Sequence, residues 1–542
     1  MRPVNRRVVD LVLAVVLALS ALLLYRKITR LWWTYDDAYL LRIAAAHPAR
    51  DHFAGGAIWR AMPQQLFTPL LTASYDAELS LFGPAARSFY EVHLVLIAVL
   101  AVVIFATARL WLPPPAAAVV ALIFIAGVPM VTLSTELMLV HYIESIILGS
   151  LSIALFVLAI RRSQLSLSIA SAALYLLAML AKEIAVPLAI LVLLLPEGTR
   201  RQRLRAAIPH FVALVLYLAW RWAALGKLVG GYGWSIRAGD VPQVAASLPG
   251  AVLVALEGHA GIAGVALLTV IAVGIALRVR SLRDALLIGS VLLLSIGPTL
   301  PMAKKFESRF AVVAWLACSA IAVAGFMTLR NGSMRSALLI AAPLLAIAVN
   351  RQVWSAEFRQ SRRMSDEARV FFDLGAGDAI RNPAVPPAAM GELRWLKEAY
   401  LRKPAGAQWF YDDLFLCGAA PLPRRVFHWS DERREVVPMG DITTLRDRYC
   451  ASIRDHASLS VSFHHEGDSL FWNLGPYDRG AYGVVMDDGV QAFEIPRRDG
   501  FRLPGVRSLA LRIRYQAPQG WVTYSPVLQL DFSRQRDFSW QR

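Results

Sequence analysis

FYEVHLVLIAVLAVVIFATARL, residues 89–110, decides the fold class. Between Glu91 and Arg109 the only ionisable side chain is His93. A helix rises about 1.5 Å per residue, so this run reaches across a hydrocarbon layer of roughly 30 Å. Working outward, the same criterion places spans near 8–25, 89–110, 115–132, 138–160, 164–181, 183–196, 207–225, 250–277, 285–302, 309–329 and 336–351, about eleven transmembrane helices in all. The first 351 residues thus read as a polytopic α-helical membrane domain.

Composition agrees. Of 542 residues, 57% are hydrophobic and only 18% charged, too apolar for a string of soluble domains. Lys and Arg outnumber Asp and Glu by 56 to 39, for a net charge of +17. The basic residues cluster between apolar runs, which reads as topology rather than nucleic-acid binding. With the N-terminus inside, the cytoplasmic connections hold Arg109, then Arg161 and Arg162, then Arg200, Arg201, Arg203 and Arg205, then Arg278, Arg280 and Arg283, then Arg330 and Arg335. An odd number of spans then leaves residues 352–542 outside the cytoplasmic membrane, in the periplasm of a Gram-negative cell. No small-residue cleavage site follows the basic leader Arg2, Arg6 and Arg7, so the first run reads as a retained span.

Two polar stretches interrupt this pattern. Residues 26–88 form a first outer loop, too polar to span and rich in Trp and Leu, which predicts short helices on the membrane surface. From 352 onward charge, Pro and Gly rise, and ASLSVSFHH, SLFWNLG, AYGVVMDDGVQAFEI, SLALRIRY and SPVLQLDF read as strands. This predicts a helical lead-in over 362–402 and then a β-sandwich, a mixed and mostly β soluble domain. No internal repeat is evident, which weakens an inverted-repeat transporter.

Candidate chemistry sits beside the spans. TYDDAYLLRIAAAH, residues 34–47, sets Asp36 and Asp37 just beyond the outer end of the first span. Paired carboxylates raise one another's pKa and can supply a general base, while an Asp ahead of AYLLRIAAA is equally a helix cap. Lys182, Arg221, Lys304, Lys305 and Arg309 lie at outer span ends, where few basic residues are expected. A charge costs about 2.5 to 3.5 kcal/mol at the bilayer centre and less toward the interface, so each needs a counter-charge. Either local ion pairs with Glu183 and Glu307 supply it, or a lipid phosphate does. Glu136, His141 and Glu144 form a second acidic or polar position at the start of the fourth span, facing a cavity or packing against the basic cluster.

Weaker features read mainly as structure. Trp32, Trp33, Tyr35 and Tyr39 form an interfacial belt or a sugar platform, and VGGYGW near 229–234 is a turn rather than a phosphate loop. His464, His465 and Glu466 lack zinc spacing, and no divalent metal or other cofactor is indicated. Of three cysteines, Cys318 lies in an apolar run, leaving Cys417 and Cys450 as a candidate disulfide.

The Asp-Asp loop, then LFTPLLTASYDAELSLFGPAARSFYEVHLVLIAVL (66–100), LYLLAMLAKEIAVPLAILVLLL (174–195) and YLAWRWAALGKLVGGY (217–232), resemble in order and spacing the GT-C superfamily of membrane glycosyltransferases. The likeness is to the branch holding the protein O-mannosyltransferases and their bacterial relatives, and covers roughly residues 30–330. It implies an inverting enzyme of the bacterial cytoplasmic membrane that moves a sugar from a polyprenyl phosphate or diphosphate to an envelope glycan, lipid or protein on the outer face. By that likeness Asp36 or Asp37 is the base, Glu136 or Glu144 the second acidic position, and Lys182, Arg221, Lys304 and Arg309 hold the donor phosphate. The chain departs from the family pattern in GVPMVTLSTELMLVHYIES, with Val128 before Pro129 and His141 where an Arg is expected, and in ESRFAVVAWL, which lacks a proline after Arg309 and Phe310. The rival expectation is a non-enzymatic membrane scaffold or polysaccharide-export component whose outer domain binds glycan.

Overall fold

A computed structural model describes residues 6–61, 66–228, 246, 249–250, 253, 261–300, 306–404, 406–419, 421–467, 469–503 and 506–542. Lys304, Lys305, the VGGYGW segment and most of residues 250–260 lie outside the described residues. The chain divides into two compact units, one of Met1–Leu31 with Ile43–Arg362, the other of Trp32–Arg42 with Arg363–Arg542.

The first unit is helical. Among the described residues, eight helices are long and apolar enough to cross a membrane: Arg6–Arg30, Ala86–Ala108, Leu137–Arg162, Arg200–Leu225, Gly261–Arg278, Leu282–Leu300, Ser308–Phe326 and Gly332–Asp373. The expected count of about eleven is higher because one of the apolar runs is bent and two form shorter helices. The run 115–132 is two helices, Pro114–Ile125 and Val128–Thr135, bent by 57°, and counts as a ninth span if the pair is one. Gly127 and Pro129 make the bend: Pro129 lacks an N–H to continue the ladder, and a Cβ on Gly127 would stand 2.0 Å from Trp315 Nε1. The runs 164–181 and 183–196 are the shorter helices Leu165–Ala181 and Glu183–Leu194, parted where Lys182 turns extended at φ −155°, ψ 136°. The last helix, by contrast, overruns its expected end at 351 by continuing to Asp373.

Small and polar residues hold the helices together, as expected where lipid removes the hydrophobic drive between them. Ser152 Oγ donates to Ser171 O at 2.8 Å, Ser171 Oγ returns a bond to Ser152 O at 2.6 Å, and His210 Nε2 lies 3.0 Å from Ser171 Oγ. That buried knot ties together Val140–Arg162, Leu165–Ala181 and Arg200–Leu225. Gly274 and Gly325 let two other helices touch backbone to backbone: a Cβ on Gly325 would fall 1.8 Å from Gly274 O. Residues 26–88 hold the helices Asp37–Ala46, Ala49–Ala54, Gly56–Ala61 and Pro69–Phe82.

The second unit is an α/β layer followed by a β-sandwich. In place of an all-helical lead-in over 362–402, β1 (Asp378–Arg381) pairs in parallel with β2 (Gln408–Phe410) and β3 (Arg425–Ser430), and β3 pairs antiparallel with β4 (Glu435–Pro438). Parallel pairing needs a crossover, and Pro387–Trp395 supplies it between β1 and β2. Cys417 and Cys450 form a disulfide joining the helices Leu414–Gly418 and Ile442–Ser452. The remaining strands are β5 (Ser460–Glu466), β6 (Ser469–Gly475), β7 (Ala481–Met486), β8 (Gln491–Ile495), β9 (Arg498–Arg502), β10 (Ser508–Gln516), β11 (Val522–Tyr524), β12 (Leu528–Asp531) and β13 (Asp537–Gln541). They make two sheets, β13-β5-β6-β9 and β11-β10-β7-β8, with β12 also on β10. Val461, Phe463, Leu474, Leu511 and Ile513 fill the space between them.

Candidate active site

Within the first unit, polar side chains gather where helices are interrupted. Glu136 is extended between Val128–Thr135 and the turn Leu137–Leu139. Lys182 is extended between Leu165–Ala181 and the turn Glu183–Ala185. Glu307 is extended ahead of the turn Ser308–Ala311. Such breaks leave backbone amides and carbonyls without helical partners, which apolar surroundings tolerate only where side chains or water meet them. Ser145 Oγ does so at one break, donating to Ala178 O at 2.9 Å and to Lys182 O at 3.3 Å.

The charged groups meet around those breaks. Lys182 is 2% exposed; its Nζ lies 3.5 Å from Glu183 Oε1 and 5.1 Å from the centre of the Tyr142 ring. Arg221 is also buried, donating to Leu228 O at 3.0 Å and to the Tyr217 hydroxyl at 3.4 Å, and Glu183 is within electrostatic reach of it. Arg309 reaches Glu136 Oε2 at 3.3 Å and Glu307 Oε2 at 2.7 Å. His141, buried, stands within electrostatic reach of both Lys182 and Arg309. Its Nδ1 lies 2.7 Å from Met138 O; a carbonyl only accepts, so Nδ1 carries a hydrogen.

Beside this cluster, Ser74 donates to Glu144 Oε1 at 2.6 Å, and Glu78 stands in the field of Glu144. Burial first, and Glu144 second, push the Glu78 carboxyl up from 4.5 to about 8. Sequence reasoning missed Ser74 and Glu78, although both lie within the quoted 66–100 stretch. Their spacing of four on the amphipathic helix Pro69–Phe82 was the available signal.

Asp36 and Asp37 belong to the second unit. Tyr35 takes φ +45°, closing a tight turn in which Asp37 Oδ2 accepts the Thr34 N–H at 2.8 Å. Asp37 is 1% exposed and serves the turn that starts Asp37–Ala46, whereas Asp36 is exposed. Trp32 and Trp33 anchor this segment, Trp32 through a backbone bond to Ser365 Oγ at 2.6 Å and a ring contact with Phe372 at 5.0 Å. Asp36 raises both the Tyr39 hydroxyl and the Glu392 carboxyl, each already raised by burial. Arg42 links the two, 3.2 Å from Glu392 Oε1 and 5.2 Å from the Tyr39 ring centre. Glu392 was not foreseen.

The other candidates are placed as follows. His464 Nδ1 faces Asp537 Oδ1 at 2.7 Å, and His465 stacks on Phe532 at 4.7 Å. Among the described residues no three His, Cys, Asp or Glu stand together as a metal site. No protein-family model matches the chain, and no curated protein matches it.

Proposed function

We propose that the protein is a membrane glycosyltransferase that moves a sugar from a polyprenyl phosphate or diphosphate to an envelope acceptor, with inversion. The observation that carries this reading is the gathering of two buried cations, Lys182 and Arg221, and the part-buried Arg309 around one set of helix breaks. Cations held in an apolar setting act strongly on charge that develops on a leaving phosphate. In the reaction a carboxylate takes the proton of the acceptor hydroxyl, whose oxygen attacks the anomeric carbon from the face opposite the phosphate. The carbon–oxygen bond to phosphate breaks, and its electron pair leaves with the phosphate. Of the two aspartates we assign the base to Asp36, because its side chain is exposed whereas Asp37 is buried within the turn. The arginine-rich connections set the orientation, with the N-terminus in the cytoplasm of a bacterial cell and the C-terminal region periplasmic.

The test is transfer from a labelled polyprenyl-phosphate sugar by the purified protein. D36N should lower the rate about 100-fold or more, and K182A and R309A on the order of 100-fold each. D37N should lower stability more than chemistry. A wild-type protein that transfers from no polyprenyl-linked sugar overturns the transferase, and full activity in D36N overturns the base. The second reading, a non-enzymatic scaffold, draws support from the carboxylates beside Lys182 and Arg309, which a purely structural seam also requires.

A further inference from the structure

We propose that the solvent face of the β13-β5-β6-β9 sheet binds a neutral saccharide. Side chains alternate across a strand. With Val461, Phe463 and Leu474 directed into the sandwich core, Ser460 and Ser462 on β5 face outward. The register sets Ser462 between Asn473 of β6 and Ser539 of β13, and Ser460 between Gly475 and Gln541. These small residues floor a depression of about 340 Å³, within the roughly 300 to 1,000 Å³ of small-molecule sites.

The depression is built, not incidental. A Cβ on Gly475 would stand 2.8 Å from Ser460 Oγ and 3.9 Å from Arg497 Nη2, so the missing side chain keeps that end open beneath the guanidinium. Arg497 is pinned as a wall, donating to Leu474 O at 2.8 Å and paired with Asp478. Two positions along β6 on the same face, Phe471 is 43% exposed. Its ring lies over Gly500, where a Cβ would come within 2.4 Å of Phe471 Cδ1. Glycine thus lets the ring lie down along the sheet as an open platform on the same face as the polar depression.

The chemistry of that surface selects its ligand. Serine hydroxyls and the Asn473 and Gln541 amides donate and accept, matching sugar hydroxyls, which do both. A flat exposed aromatic ring offers its face to the C–H side of a sugar ring. The charge of Arg497 is answered by Asp478, and Arg498 donates its Nε–H to Asn473 Oδ1 at 2.7 Å, so the anionic arm of the test below weighs what charge Arg498 keeps. The site lies on the face of the sheet rather than along an edge, which disfavours an added peptide strand.

The test is a glycan array carrying neutral and anionic oligosaccharides, probed with purified full-length protein, with calorimetry on the strongest neutral hit. Wild type should bind a neutral oligosaccharide. S462Y, which fills the floor, and F471A, which removes an exposed ring, should weaken it at least tenfold with melting temperature unchanged. Binding to no saccharide, binding to anionic ones alone, or wild-type affinity in both S462Y and F471A overturns the inference. Binding is read without turnover, so its failure leaves the transferase reading standing, and the reverse also holds.

Discussion

Asp36 and Asp37 are neighbours in sequence and differ in environment. The sequence announced the pair and offered it two roles, cap and base, but not that the chain would bury Asp37 in a turn and leave Asp36 exposed. That depends on a turn in which Tyr35 adopts a left-handed φ, a conformation that costs a non-glycine residue energy and that no local pattern demanded. Glu392 was beyond reach for a different reason: it nears Asp36 only through tertiary packing. Glu78 gives the sharpest consequence at this scale. Its carboxyl titrates near 4.5 when unfolded and near about 8 when folded, so the folded chain holds the proton more tightly. Stability is therefore fully present below about pH 4.5 and declines as pH rises toward about 8. E78Q cannot ionise and should flatten that decline. Melting temperatures of wild type and E78Q between about pH 5 and pH 8 decide the matter; equal slopes would show that Glu78 is not the group responsible.

At the level of elements, hydrophobic runs were legible because a span needs little more than length and apolar composition. The bend inside 115–132 was not, because a 57° turn at Gly127 and Pro129 is set by what the chain meets, Trp315 against Gly127, rather than by composition. The strands of the sandwich showed their alternation in sequence, as in SLFWNLG, now β6. β1 and β2, of four and three residues with a helix between, were too short to carry any. The crossing at Gly274 and Gly325 makes a prediction proper to this scale. G325V would drive a side chain into the facing backbone and should cost about 1 to 3 kcal/mol or more. G289A, at a glycine with nothing within 4 Å, should be neutral or slightly stabilising. Thermal melts of the two variants check it, and a G325V protein as stable as G289A would contradict the close approach.

At the largest scale, one buried acid contributes a charged tie within the second unit. Asp412 follows β2 in the α/β layer, and its carboxylate accepts from Tyr524 at 2.6 Å, from Arg514 at 2.8 Å and from the Leu414 N–H at 2.9 Å. Tyr524 and Arg514 belong to sandwich strands, so this side chain ties the two layers, beside the Tyr411 and Asp412 N–H bonds to Gly489 O and the packing of Leu414 and Tyr449 on Val522 and Tyr524. D412A would strand Arg514 beneath the surface without its counter-charge. A loss of about 3 to 5 kcal/mol is expected, read as a lowered melting midpoint of the whole protein. A loss below about 1 kcal/mol would show the layers to be joined chiefly by apolar contact.

The helix breaks at Glu136, Lys182 and Glu307 also bear on the surrounding lipid. Backbone dipoles and charges are poorly solvated by acyl chains, so irregular backbone of this kind is tolerated only where protein or water encloses it. With Lys182 2% exposed and His141 buried, the protein does the enclosing here. The length of the surrounding acyl chains should therefore matter little to these breaks, whereas a detergent that loosens helix packing should disturb them first.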